Sequence, residues 1–359
     1  MTSRPPPTPT PPTAPKRTTV HDVARAAGVA IGTVSRVVNG APTVTGEVRQ
    51  RVLAAIEQLG WTPSVAAQGL RGMPARMVGF IFSDIRNPLY SAMVKGAEDV
   101  LAEQGYMLVV ASSEGRPARE LALIELFRRR RADGLIFSIE DESDADVLRT
   151  LEAARLPVVM LERELALPTG TVGADHLEGT RQATRYLIGL GHRRIALISG
   201  GRGNRVARDR LRGLELAHEE AGLPVDPQLL RLDSFASDYA LRETQLLMDL
   251  PDPPTAIVAL GIHLLPGVLT ALRMKGLSVP GDVSLIASND SELCQLATPA
   301  ITVIRYDSYA LGREAALLLL RRLRGEQPAG AARVSLPTEL VMRESCAARP
   351  HRQPGGAPS

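Results

Sequence analysis

From about residue 76 onward the chain is written in short apolar runs with no alternation of polar and apolar positions, each followed by a helical stretch. Met77-Val-Gly-Phe-Ile-Phe82, Tyr106 to Ala111, Gly134-Leu-Ile-Phe-Ser138 and Val158-Val-Met-Leu161 form a first series. Ile195-Ala-Leu-Ile-Ser199, Ala256 to Leu260 and Ser284-Leu-Ile-Ala287 form a second. The helices between them read as residues 89–104, 119–130 and 144–154, then 179–190, 208–221, 239–248, 266–275 and 311–323. A strand apolar on both faces must be covered on both, and strands separated by helices pair in parallel. Two such series predict an α/β core of two lobes with parallel sheets.

The stretch before this core follows another rule. Val20-His-Asp-Val-Ala24-Arg-Ala-Ala-Gly28-Val29 and Thr33-Val-Ser35-Arg36-Val-Val-Asn39 have the spacing of two short helices joined by a tight turn. Ala24 is small enough for the helices to cross, Gly28 allows a positive φ, and Val23, Ala27, Val29, Val34 and Val37 supply a shared seam. Thr33, Ser35, Arg36 and Asn39 are left outside. A third helix starts at Thr45, whose hydroxyl is expected to cap it, with Val48, Val52, Leu53 and Ile56 as its apolar stripe and Gly60 as its stop. Any small helical hairpin with a glycine turn competes with this reading of a small all-α helix-turn-helix head. Charge favours the head: residues 16–76 hold eight Lys or Arg against three Asp or Glu, while the whole chain is only +3. Positive charge concentrated on a helical module suits phosphate binding, which releases counterions.

In open parallel sheets ligands collect at the carboxyl ends of strands, so a cleft between two lobes gathers loops from both. Asp84 and Tyr90 follow the first strand, Glu162 and Arg163 the fourth, Arg208 lies beyond Ser199, and Asn289 and Asp290 follow the last. Each alone reads first as a helix cap; together they outline a binding site. Other chemistries find little support. Gly200-Gly201-Arg-Gly203 lacks the third glycine of a dinucleotide loop. The six histidines show no metal spacing, and His192 reads as a helix C-terminal group. Arg128 to Arg131 close a helix, where positive charge suits the dipole. Cys294 and Cys346 are too few for a disulfide framework and fit a reducing compartment, with Cys294 read as a small buried apolar group. No nucleophile–base pair, paired carboxylates or phosphate loop marks an enzyme. No apolar run has the length of a membrane span.

Thr19-Val-His-Asp-Val-Ala-Arg-Ala-Ala-Gly-Val, Thr33-Val-Ser-Arg-Val-Val-Asn-Gly, Leu59-Gly-Trp-Thr-Pro, Gly191-His-Arg-Arg-Ile-Ala, Thr298-Pro-Ala-Ile-Thr-Val-Ile-Arg and Arg343-Glu-Ser closely resemble the lactose-repressor/galactose-repressor (LacI/GalR) family of bacterial transcription regulators. The likeness runs from about Thr18 to Ser345. It implies a periplasmic-binding-protein-like core and a cytoplasmic homodimer that binds a pseudo-palindromic operator in double-stranded DNA and a small-molecule effector, with no cofactor, metal or membrane. The implied plan is a disordered proline-rich arm at 1–17, a DNA-binding domain at 18–63, a hinge helix at 64–75, a core at 76–346 and a frayed tail at 347–359. Lobe 1 takes about 76–176 and 305–333, lobe 2 about 177–304 and 334–346. By position, Ile31, Gly32 and Arg36 match readers of base edges, and Thr33, Ser35 and Asn39 match phosphate contacts. Ala67 matches the residue facing its twin in the hinge, and Leu70 the wedge driven into the minor groove. In the cleft the resemblance implies Arg208 as the pocket arginine, with Asp84, Tyr90, Arg163, Phe235, Asn289 and Asp290 around it.

Departures qualify the likeness. Gly32 offers no side chain at a reading position, Ala30 stands where a capping Ser is common, Ser64 replaces an Asn and Gly69 softens the hinge. In the core, Gly261-Ile262-His263 fills the place of an Asn-Asp pair and Tyr306 that of a Gln, so the effector is expected to be unusual. Three competing readings remain at this point: a secreted ligand-binding protein, an enzyme on the same two-lobed core, and a non-specific architectural DNA binder.

Overall fold

In a computed structural model of the protein, residues 18–38, 41, 43–61, 75–201, 203–326 and 332–349 are described. The chain divides into two compact units, Met1–Ala75 and Arg76–Ser359.

The first unit holds α1 (Val20–Ala27), α2 (Ile31–Val38) and α3 (Gly46–Gln58). Thr19 caps α1 reciprocally with Asp22: the Asp22 amide donates to the Thr19 hydroxyl, and the Thr19 amide to the Asp22 carboxylate at 3.0 Å. Gly28 takes a φ of 65°, so the Val29 amide can close back on the Ala24 carbonyl and the chain reverses into α2. Val23, Ala24, Ala27, Val34, Val37, Val52 and Ala55 are buried together, with Val29 packed at their edge. Two expectations for α3 need correction. Thr45 holds the cap position without a hydroxyl hydrogen bond, and Leu53 is exposed. Helical spacing puts Val52, Ala55, Ile56 and Leu59 on the inner face, and Leu53 turns away from it. Arg51 also reaches across to donate to the Ala27 carbonyl at 2.6 Å, satisfying the C-terminus of α1.

The second unit carries two six-stranded sheets. The first contains β1 (Met77–Phe82), β2 (Met107–Ser112), β3 (Gly134–Phe137), β4 (Val158–Leu161), β5 (Gly170–Ala174) and, from much later in the chain, β11 (Arg333–Leu336). Its order is β11-β5-β4-β3-β1-β2, all parallel. One face is covered by α4 (Pro88–Glu103) and α12 (Ser308–Leu323), the other by α5 (Pro117–Arg129) and α6 (Ala145–Ala154). The second sheet contains β6 (Ile195–Ile198), β7 (Leu230–Arg231), β8 (Ala256–Ala259), β9 (Ser284–Ser288), β10 (Thr302–Arg305) and β12 (Glu339–Val341). Its order is β12-β10-β9-β8-β6-β7, parallel except for the β10–β12 edge. It lies between α7 (His176–Gly189) with α8 (Arg205–Glu220), and α9 (Ser237–Met248) with α10 (Leu264–Met274); a short α11 (Glu292–Leu296) follows β9. Among the described residues no helix is long and apolar enough to cross a membrane.

The chain crosses between lobes after β5, after β10 and after β11. The first two crossings fall within about two residues of the sequence reading, but the third lies beyond Leu336 and not at 333, because Arg333 to Leu336 pair with Thr171 to Ala174 along their whole length. Strands β5, β7, β10, β11 and β12 escaped the sequence reading. In β5 two of five residues are glycine, which lowers strand propensity. Those glycines serve close approach: a Cβ at Gly170 would meet Leu318 at 2.7 Å, and one at Gly173 would strike the Arg205 guanidinium. The tail also holds on longer than expected, since the Ala347 amide donates to Ser284 and the Arg349 amide to the Leu190 carbonyl. His192 is not a helix-end group but a buried clip. Its ring meets the Thr255 hydroxyl at 2.8 Å and the Ala347 carbonyl at 3.2 Å, while Arg193 takes the helix carbonyl.

Candidate functional sites: the outer face of the head and the cleft of the core

In the head, buried Val34 and Val37 anchor α2 and turn its opposite face outward. Ile31, Gly32 and Arg36 are exposed, and nothing lies within 4 Å of where a Gly32 Cβ would be. Arg36 folds back along the helix, its Nε–H donating to the Gly32 carbonyl at 3.3 Å. Thr33 and Ser35 are half-buried on the flanks. Asn39, Ala67 and Leu70 lie outside the described residues.

In the core, a cavity of about 730 Å³ lies between the lobes at the carboxyl ends of both sheets. Of the seven cleft residues expected from sequence, five line it: Asp84, Tyr90, Arg163, Phe235 and Asn289. Asp84 is gripped by Arg86 through both carboxylate oxygens, which holds its carboxyl below the usual range. Tyr90 stacks on Phe82 with ring centres 4.7 Å apart and shares a hydrogen bond with the Ser138 hydroxyl at 3.1 Å. Asn289 has a φ of 64° and donates to the Tyr306 hydroxyl at 3.4 Å, while its Oδ1 has no partner among the described residues.

Arg208 and Asp290 do not line the cavity, which corrects the expectation for both. Arg208 reaches Glu142 at 2.6 Å, and Asp290 is taken by Arg343 at 2.6 Å. The cause is register. Helix α8 begins at Arg205, and at about 100° per residue the side chain that swings onto the cavity floor is Arg210. Arg210 donates to the Ser199 hydroxyl at 3.2 Å and the Leu260 carbonyl at 2.6 Å, with its guanidinium 5.9 Å from the Phe235 ring centre.

Three further groups escaped the assigned site. Glu162 accepts from the Ala174 amide at 2.8 Å and from His176 Nε2 at 2.5 Å. Burial opposes its charge, but the His176 hydrogen bond and the nearby Arg205 cation outweigh that and hold its carboxyl at about 2. Burial pushes the His176 imidazole below its ordinary value, against the pull of Glu162. Tyr306 packs its edge against His176, and burial pushes its phenol up. Glu162 had a signal, being polar directly after a strand. His176 had none while β5 was unrecognised.

Beside the cavity, Glu142 of the first lobe fastens the second. It accepts from the Arg205 amide at 2.9 Å at the start of α8 as well as from Arg208, and its own amide donates to the Gly203 carbonyl at 3.3 Å. Among the described residues no group of three or more His, Cys, Asp or Glu could hold a metal ion.

The sequence model described as bacterial regulatory proteins, lacI family, matches residues 19–64, and that of a periplasmic binding protein-like domain matches residues 184–346. The chain is 32% identical over 332 residues to the HTH-type transcriptional regulator DegA of Bacillus subtilis (strain 168), covering 92% of this chain and 98% of that protein. It is 31% identical over 335 residues to the HTH-type transcriptional repressor CytR of Escherichia coli (strain K12), covering 92% and 97%. The lac repressor dimer bound to operator and the anti-inducer ONPF is 28% identical with a TM-score of 0.78, over 93% of this chain and all of that one. The transcriptional regulator CelR–cellobiose complex is 31% identical with a TM-score of 0.70, over 92% of this chain and all of that one.

Proposed function

Because the chain belongs to the lacI family of bacterial regulatory proteins, we propose that it is a transcriptional repressor whose hold on an operator is set by a small polar molecule in its interlobe cleft. The observation that carries this reading is the outward face of α2: exposed Ile31, Gly32 and Arg36 on a helix locked from behind by Val34 and Val37, within a basic head. Such a helix fits the major groove, and two copies of the chain fit the two halves of a pseudo-palindromic site. Arg36 releases Gly32 and forks onto a guanine; Thr33, Ser35 and Asn39 hold phosphates. Ala67 and Leu70 act in the hinge, paired with a twin and wedged into the minor groove. The related lac repressor is named as a dimer on operator, and CelR as a complex with cellobiose, which supports both halves of the proposal. The protein works in the cytoplasm and turns over no substrate.

Effector binding closes the lobes, and a coupling of about 1–3 kcal/mol between cleft and operator changes occupancy enough for regulation. The test selects bound fragments from genomic DNA, then measures affinity for the preferred site and for bulk DNA at one fixed salt. Arg36→Ala is expected to weaken the preferred site about tenfold or more and bulk DNA little. Equal binding by the variant, or no preferred site at all, overturns the proposal.

A further inference from the structure

Resting on the reading of the cleft as an effector site, we infer that the effector is a hydroxylated anion, its carboxylate or phosphate held between Arg163 of the first lobe and Arg210 of the second. Both residues are buried, at 6% and 4% exposure. Buried cations are ordinarily paired with an acid. Among the described residues neither of these is: their hydrogen bonds there go to neutral oxygens, from Arg163 to the Ile139 and Glu162 carbonyls and from Arg210 to Ser199 and Leu260.

The acids nearby are committed elsewhere. Glu162 is held by His176 and Ala174, Glu142 by Arg208, and Asp84 and Glu114 by arginines outside the pair. Glu140 is half-buried and Asp233 exposed, and among the described residues neither pairs with these two arginines. Nη2 of Arg163, and Nε and Nη2 of Arg210, have no partner among the described residues. Both arginines line the same cavity. An anion there gains charge-assisted bonds from each lobe at once.

The rest of the ligand follows from its other neighbours. Asn289 is 4% exposed and its Oδ1 is an acceptor with no donor, which calls for a hydroxyl or N–H on the same molecule. The Phe235 ring beside Arg210 offers an apolar face for a carbon skeleton. Each guanidinium disfavours the charge of the other, and an anion between them offsets that while bonding to both lobes.

The experiment follows thermal unfolding and calorimetric binding of the full chain at neutral pH and constant ionic strength. The probes are D-gluconate, D-glucose 6-phosphate and inorganic phosphate, set against D-glucose and D-ribose. At least one of the two hydroxylated anions is expected to raise the unfolding midpoint and to bind about tenfold or more tighter than its neutral counterpart. Phosphate alone is expected to bind more weakly than glucose 6-phosphate. Arg163→Gln should lose that preference, Arg163→Lys should keep part of it, and the exposed Arg149→Gln should keep all. The inference is overturned if D-glucose binds as well as the anions, if no hydroxylated anion shifts the midpoint, or if folded Arg163→Gln binds unchanged. Operator binding by the same preparation separates the cases: protein that holds its preferred DNA but ignores the anions loses only this effector class, whereas protein with no preferred site fails the earlier proposal.

Discussion

The two lobes share a sheet order and differ in the sign of the charge they bury. Among the described residues the first lobe buries three carboxylates, Glu120, Glu142 and Glu162, and one arginine, Arg163; the second buries Arg205 and Arg210 and no carboxylate. A buried charge is tolerable only beside a partner, so two lobes of opposite sign are most stable when apposed. Glu142 grips the start of α8, and Arg205 stands over Glu162. A repeated scaffold has thus been made into a clamp by changing a few residues at strand and helix ends, while the sheets themselves stay alike.

The contrast breaks most severely at Arg205, whose Nη1 lies 3.2 Å from Asp209 and whose charge offsets that of Glu162. Arg205→Met takes this cation from buried Glu162 and half-buried Asp209 and is expected to cost about 3–5 kcal/mol, read from urea denaturation; a loss too small to measure would remove the clamp idea. Glu142→Ala orphans the Glu164 and Arg205 amides along with Arg208. About 2–3 kcal/mol should be lost, and small-angle scattering should record a larger radius of gyration as the lobes part.

Glu120 sharpens the comparison, because among the described residues this buried acid is held only by a backbone amide and a hydroxyl. Burial pushes its carboxyl up to about 7, although the Glu140 amide and the Ser113 hydroxyl donate to it. The folded value lies above the unfolded one, so the native state holds the proton longer. Stability is therefore full below about pH 4.5 and declines as pH rises towards 7. Glu120→Gln keeps an acceptor and removes the charge: it should match the parent at pH 5 and exceed it at pH 8 by up to about 3 kcal/mol, seen in denaturation midpoints at the two pH values. Identical midpoints at pH 8 would mean that this acid is effectively solvated. The smallest effect is expected on the surface, where Glu125→Gln breaks bridges to Arg128 and Arg129. Water already screens those charges, and the unfolding midpoint should not move measurably.

How much of this was legible follows from the range of each interaction. The capping and crossing of the head helices depend on residues within a turn or two of one another, so Gly28, Val34 and Val37 could be placed from spacing alone. The apolar strands β1, β3, β4, β6, β8 and β9 announced themselves by composition. Glycine-bearing β5 did not, and with it went His176 and the seat of Glu162. Along α8 the sequence offered several arginines, and the resemblance assigned Arg208, two residues before Arg210, which lines the cavity.

Local order, helix seams and the alternation of strand and helix were therefore determined by the sequence itself, since hydrogen-bond periodicity and the burial of apolar faces act over a few residues. Which arginine reaches the cleft, which carboxylate finds a cation and which is left to hold its proton were decided only by the tertiary structure. Those outcomes depend on distances and desolvation between residues far apart in the chain, and the low-dielectric floor between the lobes exists only once both sheets have formed.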